Sequence, residues 1–220
     1  MDLNLSEALS FPRRDPEMAR KLLIGGALAF VTGGVLNNGY MLEVARNKAR
    51  GLDDSELMPE WNGIEPIVMR TLYFIVGFFV VVVPTVIYSV IVMAIGIGVA
   101  QADEIVGAVT TLLLFLPMIP FGICAITLVM VRVARAETFG CLFKLSAWRD
   151  DIARLGWPTL LRLTWLCIAI NMLLLLVSVV LMLTLVGGLL LVFVALYGQV
   201  AMGHLVGQAL AQIPVETVEV

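Results

Sequence analysis

The chain has 220 residues, of which 60% are hydrophobic and 14% charged, and its mean hydropathy is +1.00. A soluble core of this length cannot hide so much apolar surface, so the composition excludes an ordinary soluble domain and implies one polytopic membrane domain over residues 1–220. A net charge of −3 points to no nucleic-acid partner, and Cys124, Cys141 and Cys167, far apart and without CxxC spacing, read as packing residues.

Residues 1–14 form an N-terminal surface segment in which Leu3, Leu5, Ala8, Leu9 and Phe11 suggest a short surface helix. It is no signal peptide, since acids precede the basic residues and no small-residue cleavage site closes the apolar run that follows. Asp15-Pro16-Glu17 is a good helix start, with a capping carboxylate, a proline for the first helical position and an acid at the dipole. Gly51 is a good stop after Lys48 and Arg50. Between them, residues 22–42 carry no charge and are about long enough to cross, yet they hold two Gly-Gly pairs and Asn37-Asn38. A straight helix over the roughly 35 residues between Asp15 and Gly51 would be about 52 Å long; two half-helices of about 15 residues joined at Thr32-Gly33-Gly34 would each reach only about 22 Å. Residues 15–51 are therefore either a fifth span or a re-entrant helical hairpin, and a hairpin at membrane depth should be enclosed by other helices.

The loop 52–65 carries five acids together with Pro59 and Trp61 and reads as an ordered cap on the bundle mouth. Four later segments, 71–98, 105–131, 159–185 and 189–210, have the length and apolarity of spans. Pro84 should divide and kink the first, and Pro117 and Pro120 the second. Residues 137–157 are too polar to cross; Phe139, Leu142, Phe143, Trp148, Ile152 and Leu155 recur at helical spacing, as in a helix lying in the interface or packed under the bundle. Trp61, Trp148 and Trp157 would sit at headgroup depth. All 14 Lys and Arg fall before residue 22, between 46 and 70, or between 132 and 162, and none lies in 99–104, at Gly187-Gly188 or in the C-terminal tail. Basic loops stay cytoplasmic, so the hairpin, which puts every basic residue and both termini inside, is favoured over the fifth span. The expected fold is all-α: four transmembrane helices, the re-entrant hairpin and cytoplasmic interfacial helices.

Four stretches in this order, "FPRRDPEMARKLLIGGAL", "NNGYMLEVARNKARG", "MPEWNG" and "GHLVGQAL", resemble a family of small prokaryotic membrane proteins catalogued as domain of unknown function four thousand and thirteen. The resemblance implies the inner membrane of a prokaryote and supports the layout above. It implies no catalytic residues.

Little reactive chemistry is visible. HExxH, Gly-x-Ser-x-Gly and P-loop patterns are absent. His204, the only histidine, has no charged residue near it in sequence; it reads as a hydrogen-bonded packing residue, with axial ligation of one haem or chlorophyll as the cofactor alternative. No metal site is expected. Glu43 and Arg46, one turn apart, should pair. Asn37, Asn38 and Asn171 are polar-core candidates that would line a pocket beside the hairpin or simply bond between helices. Gly203 and Gly207 form a GxxxG pair for helix packing. The leading expectation is a non-catalytic scaffold or accessory subunit, packed in the bilayer against other integral membrane subunits. A small-solute transporter or channel using the broken hairpin and a membrane-shaping protein are the alternatives.

Overall fold

The computed structural model describes residues 3–136 and 138–213, and every regular element in them is helical. The ends of the chain and residue 137, which belong to the expected surface segment, interfacial helix and C-terminal tail, lie outside the described residues. Helix α1 (Leu5–Ser10) is capped by the Asn4 side chain, which accepts the Glu7 N–H, and runs into a 3-10 turn at Phe11–Arg14. Helix α2 spans Met18–Thr32 and α3 Val35–Ala49.

Between α2 and α3, Gly33 and Gly34 take φ of 61° and 77°. Two successive left-handed residues cost little only when both lack a Cβ. The Gly34 N–H returns to the Ala29 carbonyl at 2.7 Å, the six-to-one bond of a Schellman stop. The chain therefore turns back where the glycines allow it. Helix α2 begins slightly later than expected, because the Asp15 carboxylate holds the Glu17 N–H and the Lys21 ammonium instead of capping a helix at Pro16. Gly51, at φ 79°, ends α3 as its position suggests.

Helix α4 (Ile64–Ala100) starts before residue 71 and is not divided by Pro84. Its early start reflects burial: Ile67, Arg70, Thr71 and Tyr73 all enter the core. The segment 105–131 is not one span-length helix. It consists of α5 (Glu104–Phe115), capped by Asp103, and α6 (Met118–Arg135), broken at Leu116-Pro117, where the proline has no N–H to continue the ladder. The interfacial segment is a 3-10 turn, Phe139–Phe143, followed by α7 (Leu145–Leu155). Helices α8 (Trp157–Met182) and α9 (Leu185–Leu210) are joined at Leu183-Thr184, not at Gly187-Gly188, because Thr184 caps α9 by accepting the Gly187 N–H at 2.9 Å.

Among the described residues three helices are long and apolar enough to cross a membrane: 61–100, 157–182 and 190–210. In the most apolar window of the first two only 11% of residues are buried, against 56% in the third, so α9 is the central helix. Helices α1, α2, α3 and α8 pack round it. Gly203 of α9 meets Met41 of α3, and Gly207 meets Ala45 and Lys48, so these two helices run parallel at close approach. Gly25 meets Leu196 and Gly26 meets Phe193, so α2 runs the other way. The start of α2 and the end of α3 therefore share one end of the bundle, together with α1, the loop 50–63 and the end of α9. Arg14 pairs there with Asp54, and Arg20 with Glu60 at 2.6 Å.

Three expectations about exposure need correction. The hairpin tip is not enclosed: Phe30 and Val31 are 73% and 82% exposed. Enclosure is needed only for unsatisfied backbone, and the Schellman bond satisfies this turn. The N-terminal segment is a plug rather than a surface helix, since Ala8 and Phe11 are wholly buried. Trp61 and Trp148 are buried, their indole N–H groups donating to the Lys21 and Leu142 carbonyls, and Trp157 alone of the three expected headgroup tryptophans is exposed.

Candidate functional site

The most polar buried constellation is assembled from three distant parts of the chain at the end that gathers the ion pairs. Asn4 anchors the plug: its N–H donates to Gln208 Oε1 at 2.8 Å, and Tyr197 donates its hydroxyl to the Leu9 carbonyl. This brings Glu7 of α1 beside Lys48, at the end of α3, and Asp54 of the loop. The Lys48 ammonium bridges Glu7 Oε1 at 3.3 Å and Asp54 Oδ1 at 3.0 Å. Desolvation raises the Asp54 pKa, but the Lys48 hydrogen bond and the Lys48 and Arg14 charges outweigh it, leaving the carboxyl below its ordinary value.

His204 faces this cluster. Its ring is wholly buried, stacked on Phe11 at 4.4 Å. Nε2 lies 3.7 Å from Asp54 Oδ1 and 3.8 Å from Glu7 Oε1 and makes no hydrogen bond among the described residues. His204 thus has no charged residue near it in sequence but three charged groups near it in space. Nδ1 does have a partner, the Gln208 amide nitrogen at 3.2 Å. Asn4 fixes that amide with its oxygen turned away, so Gln208 donates to Nδ1 and the neutral ring carries its proton on Nε2, facing the carboxylates.

One donor atom each from Glu7, Asp54 and His204 lies within 4.8 Å of the others, the spacing of a candidate divalent-metal site. The chemistry of the donors fits a metal poorly. Lys48 already neutralises both carboxylate oxygens, and Nε2 would have to lose the proton that Gln208 assigns to it. The arrangement is that of a polar clasp holding the N-terminal plug to α9.

A second layer of charge supports the clasp. Lys21, with 7% of its side chain exposed, binds Asp15 at 2.8 Å, the Met58 carbonyl at 2.8 Å and Glu60 at 3.1 Å. Glu43 takes Arg70 as a partner at 3.5 Å, across α3 and α4, in addition to any contact along its own helix. Asp151 of α7 is clamped by Arg132 and Arg135 of α6.

The asparagine candidates do not converge on one pocket. Asn171 donates to the Cys167 carbonyl at 2.8 Å and to Met202 Sδ at 3.1 Å, on the side of α9 that faces α8. Asn38 donates to its own helix at the Val35 carbonyl. Asn37 is buried on α3, on the side of Gly203, and its Oδ1 has no partner among the described residues. Gly203 and Gly207 pack within the chain against α3. The partners that sequence reasoning missed are Glu7, Lys48 and Asp54; the one signal for them was five acids in 52–65 set against basic residues on either side.

A family model described as "Protein of unknown function (DUF4013)" matches residues 22–186. The match takes in the hairpin and the loop that follows, and stops short of the N-terminal plug and of His204. No curated protein and no solved structure matches the chain.

Proposed function

Since the chain belongs to the DUF4013 family of proteins of unknown function, we propose, on its own geometry, that it is a multi-pass integral membrane protein that acts by binding, as a scaffold or accessory subunit of a larger membrane assembly. In this reading α4, the broken α5–α6 pair, α8 and α9 cross the bilayer. The α2–α3 hairpin enters from the cytoplasmic side and returns, and both termini are cytoplasmic. The observation that carries it is the exposure of the long apolar helices: only 11% of the apolar windows of α4 and α8 is buried within the chain. Such faces require lipid or another membrane chain to cover them. The charged clasp supports a structural role for the polar residues, because each acid in it already faces a cation.

Purification from native membranes in mild detergent, with cross-linking from α8, tests the reading. A recurrent stoichiometric membrane partner is expected. Turnover by the purified chain alone would overturn it.

The hairpin makes a separate prediction. Single cysteines at Ser10 and Ser55, in a background lacking Cys124, Cys141 and Cys167, should both resist an impermeant thiol reagent added outside intact cells. Labelling at position 10 alone would show that residues 22–42 cross.

One observation favours a small-solute carrier as the second reading. Asn37 Oδ1 and Gln199 Oε1 are both buried without hydrogen-bond partners among the described residues, on α3 and α9, one turn from the Met41–Gly203 contact. Solute uptake into vesicles that vanishes in Asn37→Leu would promote it.

A further inference from the structure

A groove of about 900 Å³ opens between α4, α6, α7 and the first turn of α8. That size lies within the range of small-ligand sites, roughly 300–1,000 Å³. Its walls are apolar and aromatic, with Tyr88, Phe121, Ala125 and Trp148 among them. Along α6 the lining runs from Pro117 to Leu128, a rise of about 16 Å. One leaflet of a bilayer's hydrocarbon is about 15 Å deep. The groove thus has the depth of a single leaflet and stops near mid-membrane, whereas a partner helix would need a track across the full thickness.

The two ends differ. One end is lined by Pro84, Tyr88 and the α5–α6 break at Pro117. The other end is rimmed by Phe143, Leu145 and Trp157, which are 62%, 82% and 58% exposed. Lys144 stands exposed between the first two, and Arg149, also exposed, follows Trp148. Among the acids of α7, Asp151 is held by Arg132 and Arg135, which leaves Asp150, next to Arg149, as the exposed one. The Cys141 thiol is held below its ordinary pKa chiefly by a Thr138 hydrogen bond, with the charges of Arg132 and Lys144 adding to it. Exposed aromatics beside exposed cations mark the headgroup level of a cytoplasmic leaflet.

We propose that this groove binds an anionic phospholipid of the cytoplasmic leaflet, its acyl chains laid along α4 and α6 and its phosphate at Lys144. The site rests on the membrane placement proposed above and adds a ligand class to it. Charge complementarity selects the anionic headgroup; depth and apolar walls select the acyl chain.

The test is native mass spectrometry of the full chain in non-ionic detergent, titrated with dioleoylphosphatidylglycerol or dioleoylphosphatidylcholine. The wild type should hold the anionic lipid about fivefold more tightly, the order expected for one lysine at a headgroup. Lys144→Glu should abolish the preference or invert it, and Ala125→Trp, which fills the groove, should remove both. If Ala125→Trp does not fold, alkylation of Cys124, another lining residue, replaces it: the anionic lipid should slow the reaction and the zwitterionic one should slow it less. Equal retention of both lipids, a preference untouched by Lys144→Glu, or a co-purifying polypeptide seated on the groove would each overturn the assignment. Failure of the membrane placement itself would show separately, as protein released from native membranes by alkaline carbonate.

Discussion

Gly203→Ala is expected to destabilise the protein by about 2 kcal/mol, near the middle of the range for forcing an extra carbon into a filled core. A Cβ at this position would overlap the Met41 carbonyl oxygen, and Met41 belongs to the backbone of α3, which cannot rotate away as a side chain would. Relief requires α3 and α9 to separate. That movement would disturb the contact one turn on, where a Cβ added to Gly207 would lie 2.5 Å from Lys48 Cβ and 2.7 Å from the Ala45 oxygen. Helix α3 cannot yield in the opposite direction either, because a Cβ on Gly39 would meet the Ile67 carbonyl of α4, and the two helices are already in contact there. Gly98→Ala supplies the control: among the described residues nothing lies within 4 Å of the Cβ it would add, so the gain in helix propensity, up to about 1 kcal/mol, should show unopposed. Thermal midpoints in one detergent should fall for Gly203→Ala and hold or rise for Gly98→Ala. Equal midpoints would mean that α3 and α9 do not approach as closely as described.

These contacts show what could and could not be read from residue order. The turn at Gly33-Gly34 was legible, because few other residues accept two left-handed conformations in succession. The return of the chain is seen in the pairing of Arg14 with Asp54 and Arg20 with Glu60, which joins the segments on either side of the hairpin; the side of the membrane read from Lys and Arg belongs to the proposed reading. GxxxG was legible as a packing signal, but its partner was not, since Met41 lies more than 160 residues away. The start of α4 was missed because Glu65 and Arg70 lower the hydropathy of its first turns, and hydropathy cannot tell a solvated arginine from one buried against the Val133 and Ala136 carbonyls. The charges around His204 were hidden for the same reason. Its neighbours Glu7, Lys48 and Asp54 come from other segments, and no local pattern says that an N-terminal plug will reach the last helix.

The buried ion pair at the base of the hairpin carries the other large expected effect. Lys21→Met should cost about 3–5 kcal/mol, the usual penalty when one partner of a buried pair is removed. The cost arises from what remains. Asp15, with 1% of its side chain exposed, would keep the Glu17 N–H as a partner but lose the ammonium, and the Met58 carbonyl would lose its donor. Both belong to the layer that seats the loop 50–63 and Trp61 over α2, so the loop should loosen with them. The charge state sets the pH window. Desolvation pulls the Lys21 pKa down, but hydrogen bonds and charge from Asp15 and Glu60 outweigh it, and the folded value is raised. A raised folded pKa gives stability that is complete below the unfolded value of about 10.4 and is lost as pH rises through the folded value. The difference between wild type and Lys21→Met should therefore be constant from neutral pH to about pH 9 and shrink only in strong alkali. Arg20→Gln, whose side chain is 54% exposed in its pairs with Glu17 and Glu60, should cost no more than about 1 kcal/mol. Adding Asp15→Asn to Lys21→Met should recover part of the loss, because a neutral amide is cheaper to leave buried than an unpaired carboxylate. A double variant as unstable as the sum of its single changes would show that Lys21 acts through packing of its methylene stem, with its charge contributing little.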